Sequence, residues 1–204
     1  MIYIKNFIDS KELEEIGNVH NSPDKYFDDA GVHDSKLTST QQWLSPQDEL
    51  FKIIQNKVIA VPEFQNNKID GVQVLTAIKP YDIHTDYIVQ KNQVPISNPS
   101  INKPTYTVII PISDGYSTVV FDQSASYNNF STYKQENNKL EQYCTDEEWQ
   151  KHCSHCHSED QKYLTIKKIF EWKQGTLFAF DRSLFHCSSN FEKTKQAIVL
   201  WLSK

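Results

Sequence analysis

Six short segments of the sequence alternate apolar residues with polar or small ones. They are GVQVLTAI (71–78), YDIHTDYIV (81–89), TYTVIIPI (105–112), STVVFD (117–122), GTLFAFD (175–181) and KQAIVLWL (195–202). A period of two is typical of β-strands that bury one face, because successive side chains of a strand point to opposite sides. So many half-apolar strands must stack in layers. They predict an α+β, mainly β domain built on an antiparallel sandwich or barrel.

The rest of the chain predicts helices and loops around these strands. Residues 1–60 read as helical with strand-like interruptions; Ser10 can cap KELEEIGNVH, and Ser45 followed by proline can open PQDELFKIIQNKVIAV. Residues 90–104 form a loop rich in proline and asparagine, and approximately residues 123–165 form a polar insertion with one short helix. A length of 204 residues predicts a single domain over the whole sequence.

Composition excludes several classes of protein. Hydrophobic residues make up 38% of the chain, and no apolar run approaches the roughly 18–20 residues of a membrane-spanning helix. The first residues, MIYIKNFIDSKELEE, soon turn acidic and do not resemble a signal peptide, so the cytoplasm is the expected compartment. A net charge of −5 argues against a nucleic-acid-binding surface. In that compartment the four cysteines are expected to be free thiols or metal ligands rather than disulfides.

His84 and Asp86 lie two residues apart in the segment YDIHTDYIV. On a strand, such residues share a face, so an imidazole and a carboxylate would converge on one spot. They form either a solvated polar edge or the start of a metal site. A third ligand is available in His186, which follows the strand GTLFAFD. Two imidazoles and one carboxylate on one face of an octahedron suit non-haem Fe(II) and leave other positions open.

Lys195 is a lone cation at the head of an otherwise apolar strand, KQAIVLWL. A buried ammonium is costly unless an anion meets it. Two interpretations stay open. The ammonium reaches solvent at the end of the strand, or it binds a dicarboxylate co-substrate.

Together, these motifs resemble the Fe(II)/2-oxoglutarate-dependent oxygenases, in particular their prolyl-hydroxylase-like branch. The resemblance covers roughly residues 71–122 and 170–204 and is carried by QVLTAIKPYDIHTDY, WKQGTLFAFDRSLFHCSSNF and KQAIVLWL. It implies a double-stranded β-helix, or jelly roll, supported by the N-terminal helices. It also implies a dioxygenase that hydroxylates a peptidyl residue such as proline, or a small molecule, while 2-oxoglutarate is decarboxylated to succinate.

The same resemblance assigns roles to individual residues. It implies that His84, Asp86 and His186 hold the iron, with dioxygen and 2-oxoglutarate as partners and ascorbate as a further candidate cofactor. Neither nucleic acid nor a membrane is expected as a partner. An alternative is a cupin-like metal-binding module without catalytic activity. Such a module would have no need of a buried cation such as Lys195 opposite the metal.

Further residues are implied in co-substrate binding. Lys195 matches the basic residue that meets the C5 carboxylate of 2-oxoglutarate, and Thr107 matches a threonine whose hydroxyl helps to hold that carboxylate. Tyr81 matches a tyrosine that lines the pocket, or is a packed strand aromatic. Pro111 departs from the pattern, because some relatives have a co-substrate-binding tyrosine there.

Arg182, the only arginine of the chain, lies four residues before His186. It either grips a substrate carboxylate or a backbone carbonyl, or it pairs with Asp181 or another acidic neighbour, which is the simpler interpretation. Cys187 follows a predicted ligand and is expected to be a small core residue that faces away from the iron.

The polar insertion contains a cluster of possible zinc ligands. Zinc prefers four thiolate or imidazole ligands, and a CxxC pair has the usual spacing. Against zinc, Thr145 to Glu148 forms a capping box that would place one cysteine at a helix start, about two turns from that pair. A solvated helix end is therefore the preferred interpretation, and a histidine that lines the substrate entrance is a third. The candidate ligands are Cys144, His152, Cys153, His155, Cys156 and His157.

Overall fold

The computed structural model describes residues 1–20, 32–33, 36–37, 39–86, 106–125, 130–137, 139 and 143–204. Its strands are β1 (Ile2–Ile4), β2 (Val32–His33), β3 (Lys36–Leu37), β4 (Ser39–Trp43), β5 (Lys68–Ala77), β6 (Tyr106–Pro111), β7 (Ser117–Ser124), β8 (Ile166–Glu171), β9 (Leu177–Asp181), β10 (Leu184–Ser188) and β11 (Lys195–Ser203). Its α-helices are α1 (Ser10–His20), α2 (Glu49–Ile59), α3 (Phe130–Glu136) and α4 (Asp146–Cys153), with short 3-10 helices at Pro62–Phe64 and Ser158–Tyr163. Within these ranges, no helix is long and apolar enough to cross a membrane.

A six-stranded sheet in the order β1-β9-β6-β11-β5-β4 forms the larger layer, and every pair in it is antiparallel. The last strand, β11, is central, with β5 on one side and β6 on the other. Its Val199 lies opposite Gln73 of β5 and Ile109 of β6. Because directly opposite residues share a face, this register decides which side chains of the sheet point towards the candidate site.

A three-stranded antiparallel sheet, β10-β7-β8, faces the larger one. Buried side chains from both sheets form one cluster between them, as expected for two sheets that pack face to face. The larger sheet contributes Ile109, Phe178, Phe180, Ala197, Val199 and Trp201, and the smaller one contributes Val120, Phe170 and Leu184.

Helices cover the outer faces of both sheets. Ile54 and Val58 of α2 are fully buried against the apolar outer face of the six-stranded sheet, next to Ile16 of α1. On the other side, Phe130 of α3 and Trp149 of α4 pack on the outer face of the three-stranded sheet. The insertion is therefore the layer that shields β7 and β10 from water.

The fold confirms the predicted mainly β class, whereas the double-stranded β-helix stays a prediction. Five of the six predicted segments fall on β5, β6, β7, β9 and β11. The sixth is wrong in its described part. Residues 81–86 make only an isolated bridge at His84, and residues 87–89 lie outside the described residues.

Three predictions of local structure need correction. The insertion contains two α-helices and a 3-10 helix rather than one short helix, and it is followed by β8.

The sequence missed β10 because all five of its residues are buried, so no alternation marks it.

The predicted helix starts are also shifted. Asp9, not Ser10, exchanges hydrogen bonds with Glu12, each 2.9 Å long, at the start of α1. Helix α2 begins at Glu49, after the predicted start at Ser45. The capping box of α4 at Thr145 is confirmed.

Gly175 should be far less tolerant of alanine than Gly115, although both have positive φ angles, +71° and +81°. A Cβ at Gly175 would lie 2.3 Å from the carbonyl oxygen of Ile8, whereas nothing lies within 4 Å of one at Gly115. The left-handed backbone alone costs about 1–2 kcal/mol for a non-glycine residue. We expect Gly115→Ala to lose about that much free energy of unfolding, and Gly175→Ala about 3 kcal/mol or more, by urea denaturation. Equal losses would contradict the role of the Ile8 contact.

Candidate metal centre and its pocket

Two stretches of backbone bring the predicted metal ligands together. The N–H of His84 donates to the carbonyl of His186 at 3.0 Å, and the N–H of His186 donates back to the carbonyl of His84 at 2.9 Å. Two residues further on, the N–H of Asp86 donates to the carbonyl of Arg182 at 3.1 Å. This short antiparallel pairing places the three side chains at one point beside β10.

The three side chains form a compact set of donors. Asp86 Oδ2 lies 3.4 Å from His186 Nε2, Asp86 Oδ1 lies 3.9 Å from His84 Nε2, and all three donor groups lie within 4.8 Å of one another. Donor atoms that share one octahedral ion at about 2.1 Å are about 3 Å apart. Small side-chain movements would therefore close the set around an ion.

Both histidines have the tautomer that a metal site needs. The Nδ1 of His84 lies 2.6 Å from the carbonyl oxygen of Asp82, and the Nδ1 of His186 lies 3.1 Å from the carbonyl oxygen of Leu184. A carbonyl oxygen can only accept, so each Nδ1 carries the proton and each Nε2 offers a lone pair. Both lone pairs are thus available on the side of Asp86.

The protonation states also suit metal binding. Burial raises the pKa of Asp86, but the nearby His186 and His84 and a hydrogen bond from Thr107 outweigh burial, so the pKa is lowered overall. Burial, with the neighbouring His84, lowers the pKa of His186 to about 4. At neutral pH the site therefore holds an ionised carboxylate and a neutral imidazole, the forms that bind a cation.

A cavity of about 480 Å³ contains this set and extends past it in two directions. Lys195 and Trp201 both line it, from the same strand and the same face. Six residues of a strand span about 20 Å, so these two side chains mark opposite ends of the cavity. The end at Lys195 also includes Thr118, Trp172 and Ser188, and the end at Trp201 includes Trp43 and Gln73.

Lys195 is buried, with 3% of its surface exposed. Its Nζ donates to Ser188 Oγ at 2.7 Å and lies 4.5 Å from the ring centroid of Trp172 and 4.9 Å from that of Phe191. Burial lowers the pKa of Lys195 to about 7. Within the described part of the chain, no carboxylate pairs with this ammonium. The first of the two interpretations, a lysine that reaches solvent, is therefore wrong.

Tyr81 and Thr107 also line the cavity. The ring centroid of Tyr81 lies 5.9 Å from that of His84. Thr107 Oγ1 donates to Asp86 Oδ2 at 2.6 Å and lies opposite Trp201 in the sheet, so the structure places it at the metal ligands rather than beside Lys195.

Arg182 pairs with an acidic residue, as in the simpler interpretation, but the partner is Asp70 rather than Asp181. Arg182 Nη1 lies 2.9 Å from Asp70 Oδ2, and its Nε donates to the carbonyl of Asp86 at 3.2 Å. The arginine is 8% exposed. It thereby holds the backbone of a predicted ligand in place.

The sulfur cluster gains a member that the sequence had not grouped with it. Cys187 lies on β10, and its Sγ is 3.8 Å from that of Cys153; with Cys156 and His155 it forms a compact group. Cys144 instead donates its S–H to the carbonyl of Leu164 at 3.3 Å. Packing of α4 and the residues after it against β10, which a sequence does not show, brings these residues together.

His155 links two other segments of the chain by hydrogen bonds and is not available as a metal ligand. Its Nδ1 lies 2.7 Å from Asn190 Oδ1 and its Nε2 lies 3.1 Å from the carbonyl oxygen of Tyr81. Burial lowers its pKa, but hydrogen bonds to Cys156, Asn190 and Tyr81 outweigh burial and raise it to about 9. Both ring nitrogens therefore donate, and neither offers a lone pair to zinc.

No family model and no curated protein matches the chain. Solved structures do. The chain is similar to HygX from Streptomyces hygroscopicus, crystallised with nickel and 2-oxoglutarate, with 12% identity, a TM-score of 0.62, and 99% of this chain and 82% of that one covered. It is also similar to a viral collagen prolyl hydroxylase from Paramecium Bursaria Chlorella virus-1, with 14% identity, a TM-score of 0.52, and 99% and 94% covered.

A third similar structure is the α-ketoglutarate-dependent carbocyclase SnoK from nogalamycin biosynthesis, with 11% identity, a TM-score of 0.59, and 100% and 79% covered. The resemblance seen in the sequence is thus confirmed for the fold: the chain has the fold of the Fe(II)/2-oxoglutarate-dependent oxygenases, prolyl hydroxylases among them.

Replacing His186 by alanine should abolish stable iron binding, because it removes one of three protein ligands. The double variant Cys153→Ala/Cys156→Ala should keep iron, since the sulfur cluster lies on the outer face of β10. Metal analysis of protein prepared anaerobically with Fe(II) should give about one iron per chain for the wild type and the double variant. Full iron content in the His186 variant would contradict the ligand assignment. The cysteines are free and buried, so the predicted solvated helix end is wrong for them, and we expect them to hold no zinc. A zinc ion lost only in the cysteine variant would contradict this expectation.

Proposed function

We propose that this protein is an Fe(II)- and 2-oxoglutarate-dependent dioxygenase that hydroxylates its substrate. The observation that carries the proposal is the buried ammonium of Lys195, which has no carboxylate partner among the described residues and lies in the same cavity as His84, Asp86 and His186. A cation without an anion is costly in a dry site, and a dicarboxylate that also reaches the metal ligands would remove that cost.

The donor set fits Fe(II), because two imidazoles and one carboxylate are ligands that suit this ion, and His84, Asp86 and His186 would hold it. When bound, the iron would supply the oxidation in which dioxygen, 2-oxoglutarate and a substrate C–H become succinate, carbon dioxide and a hydroxylated substrate. The contribution of the chain is to orient the reactants and to exclude water. Thr107 and Arg182 would serve this by fixing Asp86, through its carboxylate and its backbone respectively.

The C5 carboxylate of 2-oxoglutarate would bind at Lys195, Ser188 and Thr118. Ser188 Oγ accepts from Lys195, and Thr118 Oγ1 accepts from Trp172 Nε1 at 2.9 Å. Each hydroxyl therefore has its own proton to donate into the cavity. Thr118 thus takes the part that the sequence assigned to Thr107.

The expected domain and fold details belong to the same proposal. Residues 1–204 would form one oxygenase domain with a double-stranded β-helix, and Tyr81 would line the co-substrate pocket beside His84. The substrate would be a peptidyl residue such as proline or a small molecule. The alternative of a silent cupin-like module is disfavoured by the burial of Lys195, which such a module would carry at a cost in stability.

Purified protein with Fe(II), ascorbate and 2-oxoglutarate should release succinate slowly even without substrate, and His186→Ala should release none. The reason is that a bound co-substrate and an open iron position suffice for slow uncoupled decarboxylation. Succinate would be quantified by chromatography against a metal-free sample. Equal release by both proteins, or none by either, would count against an oxygenase.

Lys195→Ala should weaken 2-oxoglutarate binding by roughly a hundredfold or more, because removing one partner of a buried charge pair costs on the order of 3–5 kcal/mol. Lys195→Arg should be much less harmful, provided that the pocket accepts the larger guanidinium. Binding would be measured by anaerobic titration of the Fe(II) or Mn(II) protein, with metal content as the control. An alanine variant that binds as tightly as the wild type would refute the assignment.

The same titration should depend on pH. With its pKa lowered to about 7, ligand-free Lys195 loses its proton above that value, while the carboxylate binds the charged form. Wild-type affinity should therefore fall as pH rises above 7, by up to about tenfold per unit. Lys195→Arg should lack this fall, because a guanidinium stays charged. A wild-type affinity that stays constant between pH 7 and 9 would show that the pKa of Lys195 is not lowered in the ligand-free protein.

A further inference from the structure

The end of the cavity opposite Lys195 is built from three adjacent strands. Trp43 of β4 lies opposite Gln73 of β5, and Trp201 of β11 lies opposite Gly71. The two indoles stack with ring centroids 5.3 Å apart and planes 30° apart. They form a flat aromatic wall beside the metal ligands, and Trp43 is 49% exposed at its outer edge.

Gly71 makes room for this wall. A Cβ at that position would lie 3.0 Å from the ring of Trp43 and 3.5 Å from that of Trp201. Even an alanine there would require the Trp43 ring to shift by a few tenths of an ångström, so the absence of a side chain at Gly71 lets the wall lie close to the sheet.

Two buried polar atoms at this end have no hydrogen-bond partner among the described residues: Gln73 Oε1 and Trp201 Nε1. Their residues are 4% and 7% exposed, and both line the cavity. The indole N–H faces Asp86 and lowers the pKa of that carboxyl group by a hydrogen-bonding interaction, but the contact falls short of normal hydrogen-bond distance and angle. Because a buried polar group without a partner is costly, one acceptor and one donor await a ligand here.

This end also has no charge of its own to offer. The acidic and basic side chains of the cavity within the described residues are Asp86, the two histidines and Lys195, which the proposed function already uses. Trp43, Gln73 and Trp201 are all uncharged. A charged group placed among them would lose its hydration without an ionic partner, so the bound group is neutral.

We propose that this end of the cavity is the substrate site and that it takes a neutral amide. The amide N–H would donate to Gln73 Oε1, the amide oxygen would accept from Trp201 Nε1, and a flat or apolar face would pack on the indoles. An amide offers a donor and an acceptor without charge, which matches the two atoms that lack partners. This assignment rests on the proposed function, since it names the substrate class of the same site.

The test uses probes that share one ring and differ in the polar group: benzamide, acetophenone, benzoate and benzylamine. N-acetylphenylalanine amide adds the amides of a peptide backbone. Binding would be measured by saturation-transfer NMR on the anaerobic, metal-loaded protein. Excess 2-oxoglutarate is present to occupy Lys195, so that benzoate does not bind there.

Benzamide should bind at least tenfold more tightly than benzoate or benzylamine. Gln73→Leu should weaken benzamide by about tenfold while leaving acetophenone, which cannot donate to Gln73, nearly unchanged. The control is Gln42→Leu. Gln42 Oε1 is also buried without a partner among the described residues. Gln42 precedes Trp43 on β4, so strand alternation points its side chain to the outer face of the sheet, away from the cavity. Gln42→Leu should leave every probe unchanged.

Two results would overturn the inference: benzoate or benzylamine binding as well as benzamide, or benzamide binding unaffected by Gln73→Leu. Tighter binding of N-acetylphenylalanine amide than of benzamide would point to a peptide source, and the reverse order to a small molecule; both orders support an amide. The outcome is separable from the proposed function. Failure of 2-oxoglutarate to bind would refute the oxygenase, while a selective, Gln73-dependent response to benzamide would still establish the amide site.

Discussion

The short backbone pairing between residues 81–86 and β10 is the contact on which the candidate site depends. His84 and His186 exchange two hydrogen bonds, and Asp86 adds a third to Arg182. The predicted metal ligands come from positions that are about a hundred residues apart in sequence. This pairing fixes the relative position and direction of the three side chains. Arg182 strengthens it, because its Nε donates to the carbonyl of Asp86.

The electrostatics of the cavity follow from that arrangement. Asp86 stays ionised although it is buried, because two imidazoles and the Thr107 hydroxyl stabilise its charge. Among the described residues Lys195 has no carboxylate partner; a serine hydroxyl and two aromatic faces contact its ammonium, and burial lowers its pKa despite an opposing effect of Cys187. The ligand-free cavity therefore holds one charge that is compensated and one that is not. Such a cavity favours an anion at the Lys195 end and a cation at its centre, beside Asp86.

Local patterns in the sequence predicted the parts of this structure that depend on local geometry. The alternation of apolar residues located most strands, and the spacing of His84 and Asp86 indicated a shared direction. Register was not predictable, because it depends on which strands become neighbours. Thr107 was therefore assigned to the carboxylate end, although its place opposite Trp201 puts it beside Asp86. Cys187 was left out of the sulfur cluster because the packing of α4 on β10 was not predictable either.

Gln42 and Gln73 show how far face and register decide what a residue can do. Both are glutamines on adjacent strands, both are more than nine-tenths buried, and the side-chain oxygen of each lacks a partner among the described residues. Strand alternation turns Gln42 towards the helices of the outer core and Gln73 towards the metal ligands. The first is a cost in stability with no ligand to offset it. The side-chain oxygen of Gln73 carries the same cost, but a bound amide would offset it. A buried polar atom without a partner therefore marks a binding site only when it faces a cavity.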